Sequence, residues 1–100
     1  MAHEAVVTRI LEGDGCAPHA QRRAAFDNAE RAEPLGTLIA KVATRAHTVT
    51  DEDMTAVKAS GLTEDQIFEL VVCAAVGQAT RQYDMAHTAL AEALADKDRN

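Results

Sequence analysis

Tryptophan is absent from this chain, and one tyrosine and two phenylalanines are its only aromatic residues. Strands are built on aromatic and β-branched residues, so this shortage, beside an abundance of alanine, turns the expectation to an all-α protein. Proline occurs twice, at Pro18 and Pro34, so nothing after residue 34 interrupts a helix at its backbone. The two cysteines, Cys16 and Cys73, form no CxxC pair, which excludes a paired zinc or dithiol motif and argues against a structural disulfide. No run approaches the ~20 apolar residues of a membrane span. The N-terminus, MAHEAVVTRILEG, carries neither a basic leader nor an apolar secretory core, so a cytoplasmic protein is expected. Sixteen acidic residues against ten basic ones leave a net charge of −6. They are interspersed, with no basic stripe to meet phosphates, so nucleic acid is not an expected partner.

One hundred residues make one domain, 1–100, divided as an N-terminal helical arm over 1–32 and core helices over 33–96. Apolar residues at Ala5, Val6, Val7, Ile10 and Leu11 have helical spacing, ended by the glycines of EGDG. Pro18 can open a second helix, HAQRRAAFDNAERA. Its inward face is Ala20, Ala24, Ala25 and Ala29 with Phe26, and Arg22, Arg23, Asp27, Glu30 and Arg31 form a solvated face. A third helix carries Leu35, Leu38, Ile39, Val42, Ala43 and Ala46 on one side and ends near His47-Thr48. Thr50 caps a fourth, with Asp51, Glu52 and Asp53 in its first turn, where the helix dipole favours carboxylates. Three consecutive acids point to different sides, so no metal site is expected there. Met54, Val57 and Ala59 carry its apolar face, and Ser60-Gly61 ends it.

The fifth helix begins at once. Thr63 and Gln66 have the spacing of a capping box. From Ile67 to Val76 the run IFELVVCAAV is apolar on every face except at Glu69, which predicts a segment enclosed by other helices. The pattern continues to about Ala95, unbroken or broken near Gly77. Unbroken, it spans ~48 Å, longer than a compact 100-residue domain with a ~13 Å radius of gyration. A helix that outgrows its domain calls for a partner subunit. The tight corner from Thr50 to Glu69 is not a DNA reader, because its second helix opens with Glu64 and Asp65, which phosphates repel.

The corner VTDEDMTAVKASGLTEDQIFELVV, followed by the alanine-rich VVCAAVGQATRQYDMAHTALAEAL with Arg81, resembles the alkylhydroperoxidase D-like (AhpD-like) and carboxymuconolactone decarboxylase-like superfamily. The resemblance covers about half the chain. It implies an all-α bundle of about five to six helices with a long C-terminal helix, assembled as a dimer, trimer or hexamer. Redox-active members carry a motif resembling E-x11-C-x2-C-x3-H, in which a lowered thiol pKa supplies the attacking thiolate. Laying Glu69 on the glutamate puts Arg81 and Asp84 on the cysteines and Thr88 on the histidine, with His87 one residue out of register. Using His47 as the histidine puts Ala40 and Ala43 on the cysteines. Neither register keeps a sulfur, so the resemblance implies a non-redox or accessory homo-oligomer with no cofactor. The decarboxylase branch implies instead an acid/base enzyme acting on a small carboxylated or carbonyl ligand. Its candidate residues here are His87 with Glu69 or Asp84 from an adjoining subunit.

Glu69, Cys73, Val76, Thr80, Tyr83 and His87 share one stripe of a continuous helix, yet Glu69 and His87 stand ~27 Å apart along it. Each also has a structural reading. Glu69 pairs with Arg45 or Arg81, Cys73 is a small buried hydrophobe, and Tyr83 is an interface residue. His3, His19, His47 and His87 lie on the surface or at an interface. A third chemistry is single-cysteine peroxide reduction at Cys73 or Cys16.

Overall fold

The computed structural model describes residues 2–13, 15 and 17–98, with side chains over 4–13, 15 and 17–96. Cys16 and the His3 side chain lie outside the described residues. Helix α1 is Ala2–Glu12, α2 His19–Phe26, α3 Leu35–Arg45, α4 Asp51–Ala59 and α5 Glu64–Asp98, with a 3-10 turn at Ala46–Thr48. There is no strand among the described residues, so the chain is all-α with a long C-terminal helix. None of its described helices is long and apolar enough to cross a membrane.

Local chemistry starts the helices. Thr50 and Asp53 form a reciprocal capping box at α4. Thr63 and Gln66 do the same at α5: the Thr63 N–H donates to Gln66 Oε1 at 2.9 Å, and the Gln66 N–H to Thr63 Oγ1 at 3.1 Å. Gly61, at φ +111°, turns the chain between the two helices, a conformation that costs glycine little.

The second helix is shorter than its sequence pattern predicts. It ends at Phe26 because Asn28 takes a left-handed conformation, φ 53°, with its N–H bonded to the Ala25 carbonyl and the Ala29 N–H to the Ala24 carbonyl. That pair of bonds is a Schellman motif with asparagine in the glycine position. Ala29 therefore leaves the inward face and is exposed, as are Ala20 and Ala59.

α5 is continuous for 35 residues, without a break at Gly77, or ~52 Å of helix. The glycine serves contact instead: a Cβ at Gly77 would run into the backbone of Phe26, so the end of α2 approaches α5 more closely than any side chain allows. Arg81 Nη1 then donates to the Phe26 carbonyl oxygen at 2.6 Å, satisfying an acceptor left over at the end of α2. The core lies against the first half of α5, where Ile67, Leu70, Cys73 and Ala74 meet Leu38, Ile39 and Val57, all at most 1% exposed. Leu11, Ala17, Ala25 and Phe26 from the N-terminal segment join the same cluster.

Enclosure of the IFELVVCAAV run is one-sided, a correction to the sequence expectation. Phe68 is 69% exposed, and Ala75 is exposed too, because α1 to α4 cover only one flank of α5. Beyond Arg81 none of the other described helices covers α5, and residues 82–96 are all exposed. The molecule measures 59 × 29 × 18 Å with a radius of gyration of 16.3 Å, against ~13 Å for a compact chain of this length.

Candidate functional site

A cleft of about 310 Å³ opens between α1, the loop after it and the first half of α5, with Glu69, Cys73, Arg22 and Arg9 among its lining residues. It is built on one buried cation. Arg22, 4% exposed, donates from Nε to the Ala17 carbonyl oxygen at 2.9 Å and from Nη1 to those of Gly13 at 2.6 Å and Ile10 at 3.3 Å. Ile10 and Gly13 stand at the C-terminal end of α1, where leftover carbonyls and the helix dipole both attract positive charge. Arg22 thus holds the first helix and its loop to the second. The solvated face predicted for this residue is corrected. Its sequence signal is its position three and four residues before Ala25 and Phe26, which puts the charge on the inward side of α2.

Glu69 completes the clamp from α5. Its Oε2 accepts the Ala17 N–H at 2.6 Å, so Ala17, 2% exposed, is held by Glu69 at its N–H and by Arg22 at its carbonyl. The pairing expected with Arg45 or Arg81 is replaced by this backbone contact, since Arg81 is engaged with Phe26 and with Gln78 Oε1. Gly15 belongs to the same arrangement, because a side chain there would press on the Glu69 carboxylate. Residues far apart in sequence meet here, which is why no local pattern announced the contact.

Cys73 stands on the cleft floor with its Sγ 3.8 Å from the Ile10 carbonyl oxygen. Burial pushes its thiol pKa above the ordinary value; Arg22 pulls the other way, and the Glu69 carboxylate adds to the rise. At neutral pH the sulfur is held as the thiol, the poorly nucleophilic form.

The other predicted site residues are elsewhere. Asp84 and His87 are exposed on the bare half of α5, with the His87 ring stacked on Tyr83 at 6.1 Å between centroids and 7° between planes. The continuous helix keeps His87 ~27 Å from Glu69 along its axis, so one copy of the chain does not bring them together. Asp53 is bound by Lys41 Nζ at 2.8 Å and by the Thr50 backbone. No group of three or more His, Cys, Asp or Glu residues with metal-binding geometry occurs among the described residues.

A second concavity, about 850 Å³ and open, runs between α3, α4 and α5. Its walls include Val42, Val49, Met54, Val71 and Phe68. Phe68 is the ridge between this groove and the Arg22 cleft. Comparison of the chain with protein-family models, with curated proteins and with solved structures finds no match.

Proposed function

We propose that this chain is a non-redox, homo-oligomeric protein of the alkylhydroperoxidase D-like and carboxymuconolactone decarboxylase-like type, working in the cytoplasm as an accessory or structural subunit rather than as a thiol peroxidase. The observation that carries this reading is the state of Cys73, buried and held as a thiol. Arg81, which stands on a cysteine position when Glu69 is aligned with the motif, is spent on closing α2 against α5. The uncovered half of α5 supports the oligomer, because an isolated helix of that length is marginal in water.

The test is thiol reactivity. In the native protein at neutral pH, iodoacetamide labels Cys73 slowly and reaches it fully only after denaturation, as read from peptide masses that separate it from Cys16. The protein consumes no peroxide in the presence of a dithiol reductant. Rapid native labelling of Cys73 with peroxide turnover would overturn the proposal.

One observation favours a second reading, an acid/base enzyme for a small carboxylated ligand. The cleft is lined by Glu69, Arg22 and Arg9 together, a mixed-charge lining of the kind that orients small polar molecules. Such an enzyme needs its histidine from another copy of the chain.

A further inference from the structure

The face of α5 left uncovered by α1 to α4 has a pattern of its own. Phe68, Val72, Ala75, Ala79, Tyr83, Ala86 and Leu90 follow one another at steps of four, three, four, four, three and four, a series that reads the same from either end. At 100° per residue all seven lie within ~40° of Ala79 around the helix. Val72 is half-buried and the other six are exposed, Phe68 at 69%, Tyr83 at 61% and Leu90 at 58%. The stripe is ~33 Å long, and exposed apolar surface on that scale marks an interaction site.

We propose that its occupant is a second copy of this chain, lying antiparallel along α5 with the two-fold axis at Ala79. The inference rests on the homo-oligomeric reading above and gives it a surface and a register. Under that rotation Phe68 meets Leu90, Val72 meets Ala86, Ala75 meets Tyr83, and Ala79 meets itself. Large residues face smaller ones along most of the seam, and the small crossing point lets the backbones approach, as knobs-into-holes packing requires. A parallel pairing puts Phe68 on Phe68 and Tyr83 on Tyr83 and sets alanine on alanine between them, leaving gaps. The antiparallel arrangement also lays the bare half of each α5 along the sheathed half of the other, so that Tyr83, Ala86 and Leu90 are covered by Ala75, Val72 and Phe68. A two-fold contact of this kind is self-complementary and closed.

The register has a consequence for the cleft. Glu69 and His87 both stand ~80° from the centre of the stripe in the same sense. In an antiparallel pair, residues on the same flank of both helices come together. The position facing Glu69 is Ala89, so His87 of the second copy lies only ~3 Å away in axial level. The dimer therefore carries two clefts, each with its own Glu69 and Arg22 and with a histidine brought to its rim by the other copy. Tyr83, stacked on His87, orients that imidazole.

Three measurements test the proposal. Light scattering after gel filtration gives the wild type at twice the 10.7 kDa of one chain. The Tyr83→Glu/Leu90→Glu variant runs at the single mass with its helical circular dichroism retained, while Thr88→Glu, exposed on the opposite side of α5, stays dimeric. Oxidation of mixed Phe68→Cys and Leu90→Cys variants joins position 68 of one chain to position 90 of another, with peptide mapping to set aside bonds from Cys16 and Cys73; neither variant alone crosslinks at its new position. In the wild-type dimer, Glu69→Gln shifts the His87 imidazole NMR signals. A monomer at every concentration overturns both this pairing and the oligomeric reading. An oligomer in which each cysteine variant crosslinks to itself, or in which the His87 signals do not respond to Glu69→Gln, overturns the register and leaves the oligomeric reading standing.

Discussion

The two halves of α5 share one backbone, one unbroken hydrogen-bond pattern and a similar wealth of alanine, and they live in different surroundings. From Ile67 to Gly77 the helix is the wall on which α2 and α3 pack, with Ile67, Leu70, Cys73 and Ala74 at most 1% exposed. From residue 82 to 96 every side chain is exposed. Helix formation is local, whereas helix stability is supplied by what covers the apolar face. Long-range contacts inside one chain provide that cover for the first half, and the second half carries its apolar residues outward.

The largest expected effect breaks this comparison at its centre. Leu70→Ala empties a fully buried position and lowers the unfolding free energy by ~2–5 kcal/mol, while Leu90→Ala changes the stability of a diluted, monomeric sample by no more than ~0.5 kcal/mol. Urea unfolding of both variants reads the difference. Equal losses would show that the two halves are held alike.

Next is Gly77, where helix propensity and packing oppose each other. Alanine is the better helix former by ~1 kcal/mol, yet its Cβ collides with the backbone of Phe26, and overpacking of that kind costs ~1–3 kcal/mol. Backbone yields less readily than a side-chain tip, so Gly77→Ala is destabilising in thermal unfolding. Ala86→Gly, in the bare half, shows the propensity term alone in a diluted, monomeric sample, a loss of ~1 kcal/mol or less.

The smallest effect is electrostatic and belongs to the sheathed side, where α4 is bolted to α3. The Lys41 ammonium, hydrogen-bonded to Asp53, holds its carboxyl pKa below the ordinary 3.8; the Thr50 N–H and hydroxyl add to this, and desolvation opposes it. A folded pKa below the unfolded one stabilises the protein above the unfolded value, and that contribution is lost as pH falls through the folded pKa. The wild type therefore loses stability below about pH 3.8 more steeply than Asp53→Asn, in urea midpoints taken across that range. Glu64, lowered through its contact with Lys58, keeps a residual slope in the variant.

Much of the helical framework was legible in the sequence because its causes are short-range. The capping residues at Thr50 and Thr63 act within three positions, Gly61 acts at its own φ, and the apolar spacing of α1 and α3 repeats every three or four residues. The absence of proline after residue 34 left α5 free to run its full length. The candidate site was legible only in its parts: Glu69 and Cys73 stood out as a carboxylate and a sulfur inside an apolar run, and the residue that organises them did not. Arg22 looked like one charge among several on a polar face. Its burial depends on carbonyl groups of Ile10, Gly13 and Ala17 that become acceptors only when α1 ends and the loop turns back.

By itself, then, the sequence determined the all-α class, the helix starts and the excess length of the last helix, since propensity, capping and periodicity are properties of neighbouring residues. The tertiary structure alone decided that Arg22 is interior, that Glu69 holds a backbone amide 52 positions away, that Gly77 is a contact and that Phe68 is a ridge. Each of these depends on which surfaces meet, and that is set when segments distant in the chain exclude water together and must satisfy every polar group they bury.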